Sequence, residues 1–449
     1  MATDPAARKN SPRHVLPAIY CGIVSLATFL AAPSSPAQTV RHHREAVEDP
    51  SQPPELRDAE AAIEQGDYAK AEPLLQKIVQ ADPKNYLAWF DLGFLYNAIG
   101  RSDDSIHAYQ QSVVAKPDVF ESQLNLGLML AKNNKPGADV PLRAATRLKP
   151  SDHPDEGIAR AWTALGHVLE PTNPDEALDA FRQAAALQPK NPEPHLSAGA
   201  ILEKETRFSD AEQEYKQALA IDPNASDALV GLANIYMRGR RLPEAEEYLK
   251  KVVDQRPNDP VAHQQLARVY AADGKYDDAA AQFQAAEKLA PGDVSVQRDF
   301  ADVSYNAGRF TDAERIYRSL LAASPNSAEL HHSLAQCLLK QKKFPEAEQE
   351  FFAAVKLKPD WGEAYGELAI AANENQNYPL TIKALDVRAK FLAEIPATYF
   401  LRATAYDHLH DFKQASANYH LFLQVANGKY PDQEWQARHR LIAIEPKKK

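Results

Sequence analysis

The sequence predicts an all-α protein built as a helix-turn-helix solenoid, and two observations support this fold class. First, a pattern of large and small residues returns every 34 residues between about residue 52 and residue 427. A fixed period in this range is typical of a stacked array of small units rather than of one globular core. Second, a proline that cannot continue a helix ends successive units, at Pro223, Pro257, Pro291, Pro325 and Pro359.

Each unit is expected to contain two antiparallel helices. In the unit that starts at residue 260, the pattern predicts a first helix over 260–272 and a second helix over 276–289. Each helix carries a stripe of residues whose spacing places them on one face. The stripe of the first helix is Leu266, Ala267 and Tyr270, and that of the second helix is Ala279, Phe283 and Ala286. Neither helix buries its stripe alone, so we expect the stability of the array to come from stacked neighbouring units.

This pattern resembles the tetratricopeptide repeat. In that family a unit carries Leu, a small residue, Tyr, Ala and Pro at positions 7, 8, 11, 27 and 32, which are here Leu266, Ala267, Tyr270, Ala286 and Pro291. The resemblance implies about eleven repeats over 52–427, which start at residues 52, 86, 120, 159, 192, 226, 260, 294, 328, 362 and 396. It also implies a right-handed superhelix whose first helices line a concave face that binds a partner.

Two stretches depart from the repeat pattern. An insertion over 151–157 precedes repeat 4, and we expect the array to have a joint there. In repeat 10, Thr381 and Ala393 stand where Ala and Pro are expected, so this unit is expected to be distorted.

The chain before the array has a different composition. Residues 1–37 combine a basic start, an apolar run and small residues before Gln38, which is typical of a secretory signal peptide. The alternative is an uncleaved N-terminal anchor, because the apolar run of about 18 residues just reaches the length that spans a bilayer. Residues 38–51 are polar and predict a flexible linker.

These features predict an exported protein, with a bacterial periplasm as the expected compartment. The alternatives are an inner-membrane anchor with the repeats outside the cytoplasm, or secretion. Cleavage before Gln38 would leave Cys337 as the only cysteine, so no internal disulfide is expected. We expect Cys337 to be a small buried residue rather than a reactive thiol, because it occupies an interior helical position.

Residues 428–449 follow the array and predict a C-terminal capping helix and a basic tail. A terminal repeat leaves one face of the stack without a neighbour, and the capping helix is expected to cover that face. The residues expected to cover it are Trp435, His439 and Ile442.

Charge and motifs argue against several functional classes. The formal net charge of −10 argues against a nucleic-acid-binding protein, which would need a basic face. The sequence contains no Walker loop, nucleophile elbow, zincin motif or paired C-x-x-C. We therefore expect a protein that is not an enzyme and that has no cofactor and no metal site. Contact with a membrane is expected only through an uncleaved N-terminal helix.

In the family, positions 2, 5, 9, 12 and 13 of the first helix usually contact the partner, and two surfaces occupy such positions here. An apolar ladder at positions 5 and 9 of repeats 1 to 3 is formed by Leu56, Phe90, Phe94, Leu124 and Leu128. A polar face of mixed charge in repeats 6 to 9 includes Asn234, Arg238, Arg268, Arg298 and Tyr305. These ten residues are the candidate partner-binding residues.

Each surface has more than one interpretation. The apolar ladder fits close packing inside a tightly wound end, a seat for the linker, a groove for a peptide or helix, or self-association. The polar face fits an ordinary solvated surface or a binding surface. A clamp for a C-terminal carboxylate is disfavoured there, because Val230 stands where such a clamp has Lys.

The function expected from the sequence is that of an exported scaffold or adaptor, which binds a partner protein or peptide segment along the concave face. One alternative is an assembly or export factor for an outer-membrane or cell-surface complex. The other is a regulatory arm of a glycosyltransferase or protease complex.

Overall fold

The computed structural model describes residues 53–445, and this part of the chain folds into 23 α-helices without a β-strand. The predicted signal peptide or anchor and the predicted linker therefore lie outside the described residues. The chain divides into two compact units, the first ending at Gln188 and the second beginning at Pro189. This division follows repeat 4, and the joint expected at the insertion over 151–157 stays a prediction.

The first unit contains four helix pairs. In chain order these are α1 (Pro54–Glu64) with α2 (Tyr68–Ala81), α3 (Tyr86–Ala98) with α4 (Ser102–Ala115), α5 (Phe120–Lys132) with α6 (Asp139–Ala145), and α7 (Pro154–Leu169) with α8 (Pro174–Leu187). The pairs correspond to repeats 1 to 4.

The second unit contains seven further pairs and one single helix. The pairs are α9 (Glu193–Lys204) with α10 (Phe208–Ile221), α11 (Ser226–Arg238) with α12 (Leu242–Gln255), α13 (Pro260–Ala272) with α14 (Tyr276–Leu289), α15 (Val294–Asn306) with α16 (Phe310–Ala323), α17 (Ala328–Lys340) with α18 (Phe344–Leu357), α19 (Gly362–Glu374) with α20 (Tyr378–Arg388), and α21 (Pro396–His408) with α22 (Phe412–Ala426). The last helix, α23, covers Pro431–Ile444. The predicted bounds of both helices in repeat 7 are confirmed.

An aromatic ring on the second helix of a pair packs where the neighbouring first helices carry small residues. Tyr215 on α10 shows this contact on both of its sides. A Cβ atom added at Gly199 on α9 would lie 2.7 Å from its Cε1 atom, and one added at Gly231 on α11 would lie 2.4 Å from its Cε2 atom. Since real Cβ atoms do not approach a ring so closely, only glycine lets all three helices meet around this ring.

The side chain at position 4 repeatedly satisfies the carbonyl of the proline that precedes its repeat. Trp89 donates from Nε1 to the Pro83 carbonyl oxygen at 3.0 Å. The Nε2 atom of His263 lies 3.0 Å from the Pro257 carbonyl oxygen, and that of His331 lies 3.0 Å from the Pro325 carbonyl oxygen. Because such a carbonyl lies in the connection between helices, it needs a partner other than the helical ladder. Position 4 therefore fastens each of these connections to the next first helix.

The turn between the two helices of a pair has one backbone position in the left-handed region. This is position 15, and it has a positive φ in ten repeats, at Gly66, Gly100, Asn134, Thr206, Arg240, Gly274, Gly308, Lys342, Gln376 and His410. A side chain at such a φ crowds the following carbonyl, so glycine adopts it most easily. Thr206, with φ of 61°, is the least suitable residue of the set because it is β-branched.

We predict that Thr206→Gly stabilises repeat 5, because it relieves about 1 kcal/mol of left-handed strain. Hydrogen exchange should show increased protection in α9 and α10 and little change in distant helices, since coupling in such arrays is between neighbours. The reverse substitution Gly274→Thr is the matched control and should lower protection in α13 and α14. Reduced protection in Thr206→Gly would contradict the prediction.

Candidate functional site

The predicted apolar ladder is part of the core of the first unit. Leu56, Phe90, Leu124 and Leu128 are each no more than 3% exposed. Of the interpretations given above, close packing is therefore the one that the structure supports for these four side chains. Phe94 differs, because it is half-buried and packs against the cluster formed by the first two helix pairs.

The burial of Leu124 and Leu128 has a specific cause in the chain between repeats 3 and 4. The second helix of repeat 3, α6, has only 7 residues, and the connection after it lies on α5. The backbone N–H of Ser151 donates to Oε1 of Glu121 at 2.8 Å, and Pro150 lines the same small cavity as Leu124. As a result every residue of α5 from Ser122 to Leu130 is buried.

Phe90 is buried by a different contact within the same unit. Its ring meets the ring of Tyr109 on α4 edge-to-face, with 5.6 Å between the centroids. It belongs to a cluster that also includes Ile106, Leu126 and Met129, so helices α3, α4 and α5 all contribute to its surroundings.

We predict that Leu124→Ser lowers the unfolding free energy of the first unit by about 2–5 kcal/mol, the usual cost of truncating a buried Leu. Thermal unfolding and the hydrogen exchange of α5 would measure the loss. Val140→Ser on α6 is the control, because Val140 is 67% exposed and its truncation should have little effect. An unchanged melting temperature in Leu124→Ser would mean that Leu124 is not part of a core.

The polar face is largely satisfied by its own side chains. Arg268 pairs with Asp299, with 2.6 Å between Nη2 and Oδ2. The guanidinium of Arg238 lies 5.5 Å from the centre of the Phe208 ring. Arg298 is exposed, Asn234 is partly exposed, and Tyr305 is half-buried against Phe310. Partner binding by these five residues stays a prediction.

A cavity of about 470 Å³ lies in the second unit, between the first helices of repeats 10 and 11. Its walls are mainly apolar, and its size is typical of ligand pockets in proteins. Gly366 and Phe400 line it from position 5 of their repeats, Glu363 and Ala397 from position 2, and Ile370 from position 9. These are positions at which the family contacts its partners.

The sequence did not predict this cavity, because none of the ten candidate partner-binding residues lies in repeat 10 or 11. The same positions of repeats 10 and 11 carry a recognisable signal. Glycine at position 5 leaves a depression in the helix surface, and the neighbouring Ile370 and Phe400 are large and apolar.

The distortion of repeat 10 shapes this cavity. Helix α20 has 11 residues, whereas the second helices of repeats 5 to 9 have 14. The connection after α20 packs on the start of α19, since a Cβ atom added at Gly362 would lie 2.9 Å from Cγ of Leu392. Leu392 and Ile395 of this connection then form one wall of the cavity. The expected distortion of repeat 10 is thus observed.

One charged side chain, Arg388, lines the cavity while being only 9% exposed. Its Nη1 donates to the Ala393 carbonyl oxygen at 3.0 Å. The nearest carboxylate partner is Glu394, 3.9 Å from Nη1, and Glu394 is held at 2.8 Å by Nη2 of Arg402. Glu367 also lines the cavity, but it accepts from Gln336 and pairs with His332.

The sequence profiles of the tetratricopeptide repeat match most of the helical array. One profile matches residues 62–124, 202–269, 240–300, 270–331 and 304–371, and a second matches residues 169–225. Together these matches cover more than half of the chain. The chain belongs to the tetratricopeptide repeat family. Tetratricopeptide repeat proteins bind peptides or proteins and are typically non-catalytic scaffolds.

Several solved tetratricopeptide repeat structures resemble this one in fold. YrrB, described as a TPR protein with an unusual peptide-binding site, is 19% identical, with 42% of this chain and 96% of YrrB covered and a TM-score of 0.39. The C-terminal part of a TPR repeat-containing protein from Cytophaga hutchinsonii is 16% identical, with 53% and 98% covered and a TM-score of 0.45. Yeast Tom70 is 14% identical, with 87% and 94% covered and a TM-score of 0.31. Among curated proteins, no sequence matches this tetratricopeptide repeat protein.

The last helix of the array contributes to the edge of the cavity through Gln433, and Tyr430 just before α23 contributes as well. Helix α23 is held by Arg440, whose Nε and Nη2 atoms each donate to a carboxylate oxygen of Asp407 at 2.7 Å. Burial alone would raise the pKa of Asp407, but the hydrogen bonds and charge of Arg440 outweigh it and hold the pKa below its ordinary value. The pair therefore favours the docked helix when Asp407 is ionised.

The outer face of α23 differs from the expectation. Ala437 and Leu441 pack against the rest of the array, whereas Trp435 is 60% exposed and Ile442 is 76% exposed. The expectation that Trp435, His439 and Ile442 cover the end of the stack is thus wrong. The helical period explains the error, because these three residues share one face of α23 and the packed residues lie on the other.

The cysteine within residues 53–445 lies in the core. Cys337 is fully buried, and burial raises the pKa of its thiol to about 12, so the expectation of a structural cysteine is confirmed. No group of three or more His, Cys, Asp or Glu residues in this range is arranged to hold a metal ion. None of the 23 helices there has the length and apolar character needed to cross a bilayer.

Proposed function

We propose that this protein is a scaffold that binds an apolar segment of a partner protein in the cavity of repeats 10 and 11. One observation carries the proposal: the cavity of about 470 Å³ opens at positions 2 and 5 of two consecutive first helices and at position 9 of the first of them. Apolar side chains in such pockets supply most of the binding free energy at protein interfaces. We propose binding alone as the function, without catalysis by this chain.

Ile370 offers the sharpest test, because it lines the cavity and is 45% exposed, so its truncation should not disturb the core. A photo-crosslinking amino acid placed at position 370 in cells would identify the partner segment by mass spectrometry. In binding measurements with that segment, Ile370→Ser should then weaken affinity by about tenfold or more, as expected for an apolar anchor.

Leu357→Ser is the matched control for Ile370→Ser. Leu357 is an aliphatic residue of similar exposure, 42%, and lies at the end of the second helix α18 rather than at a partner-contact position. It should leave both affinity and melting temperature unchanged. Equal crosslinking at positions 357 and 370, or full affinity in Ile370→Ser, would contradict the proposed site.

We further propose that the scaffold works outside the cytoplasm, in a periplasm. The proposal rests on the signal-like sequence of residues 1–37. N-terminal sequencing of the protein from its native host should give Gln38 as the first residue of a chain found in the periplasmic fraction. A membrane-bound chain that retains Met1 or Ala2 would show an anchor instead, and a cytoplasmic full-length chain would refute export.

A further inference from the structure

We propose that the cavity takes an acidic side chain flanked by apolar residues in an extended partner segment, with Arg388 as the partner of its carboxylate. This inference rests on the proposed function and adds the chemistry that the partner segment must carry.

The first step is the unsatisfied state of Arg388. A guanidinium has five N–H donors, and among the described residues only the Ala393 carbonyl oxygen accepts from this one. No described acceptor lies within hydrogen-bond distance of its Nε or Nη2 atom. A charge that is 9% exposed is costly unless it is paired and hydrogen-bonded. Arg388 therefore retains donors for an incoming carboxylate.

The second step is access, which Gly366 provides. A Cβ atom added at Gly366 would lie 3.4 Å from both Cδ and Nε of Arg388, so the arginine lies directly beneath the surface of α19 at this point. Position 5 of other repeats in the second unit carries larger residues, such as Gln264 and Arg298. With no side chain on Gly366, Cδ and Nε of Arg388 lie next to the space that such a side chain would fill, and both residues line the cavity.

The third step is the state of the neighbouring carboxylates, of which only Glu394 pairs with Arg388, at 3.9 Å and without a hydrogen bond. Glu394 is held by Arg402 at 2.8 Å and Glu367 by Gln336 and His332. Glu363, on the cavity edge, is exposed and makes no salt bridge with Arg388. Its negative charge disfavours a second acidic residue in the ligand, so we expect one carboxylate and not an acidic run.

The fourth step is the apolar surface around this point. Ile370 lies one helical turn beyond Gly366 on α19, and Phe400 lies opposite on α21. Apolar side chains of both first helices thus line the cavity together with Arg388, and the proposed segment continues in both directions from its carboxylate. This arrangement fits the side chain of an internal Asp or Glu rather than the end of a chain.

The test is a selection from a library of randomised peptides displayed internally, so that no chain end is free. The wild-type protein should enrich sequences with a single Asp or Glu between large apolar residues. For the best sequence, an acetylated and amidated peptide should bind about tenfold more tightly than its Gln counterpart, as expected for a charge-assisted hydrogen bond. Fluorescence anisotropy measures both affinities.

Two variants assign this preference to the site. Arg388→Gln should remove the difference between the Glu and Gln peptides, and Lys383→Gln, an exposed cation on the same helix, should preserve it.

Gly366→Leu leaves Arg388 intact but fills the opening, so it should abolish binding of both peptides. Gln264→Leu places the same side chain at position 5 of repeat 7 and should leave binding unchanged. Circular dichroism melting of each variant checks the fold.

The outcomes separate this inference from the proposed function. Apolar enrichment without an acidic residue, or a Glu preference that survives Arg388→Gln, would overturn the carboxylate inference and leave the proposed binding cavity standing. Binding that requires a free terminal carboxylate would overturn the choice of an internal side chain. Selected peptides that bind Gly366→Leu as well as wild type would overturn both.

Discussion

The contact between an aromatic ring on the second helix and small residues on the neighbouring first helices is the constraint on which the second unit depends. Around Tyr215, two glycines bring helices α9, α10 and α11 together at distances that no Cβ atom would allow. These helix faces are buried by packing around the ring. Positions 2, 5 and 9 of each first helix lie outside these faces and can therefore contact other molecules. The cavity of repeats 10 and 11 is built from those remaining positions.

The two irregular stretches of the array have opposite effects on these positions. In the first unit, the short helix α6 and the connection after it lie on α5, and the apolar side chains there become core. In the second unit, the short helix α20 is followed by a connection that forms one wall of an open cavity. A short second helix thus leads to a buried surface in the first unit and to an open cavity in the second unit. The path of the connection that follows the helix decides between these outcomes.

The sequence predicts the regular parts of this fold well and the irregular parts poorly. Helix bounds in repeat 7 follow from local signals, since Pro260 begins α13 and Gly274 occupies the left-handed turn that separates it from α14. The sequence left the burial of Leu124 open, because that burial depends on the path of the connection that contains Pro150, and tertiary packing sets this path. The insertion over 151–157 predicts an irregularity in the array but does not predict the path that the connection takes. Arg388 was missed because it lies on a second helix and reaches the surface only beneath Gly366.

The left-handed residue at position 15 also shapes the dynamics of the array. Repeats 9, 10 and 11 carry Lys342, Gln376 and His410 there, so three strained turns follow one another in the part of the chain that forms the cavity. Strain stored in the native turns lowers the free energy needed to open a repeat locally. This free energy is lowest where several such turns follow one another. A ligand of the proposed cavity, in contact with both α19 and α21, would oppose this opening. Occupancy of the cavity would then reduce local opening of the C-terminal repeats. Binding and the conformational entropy of these repeats would be thermodynamically linked.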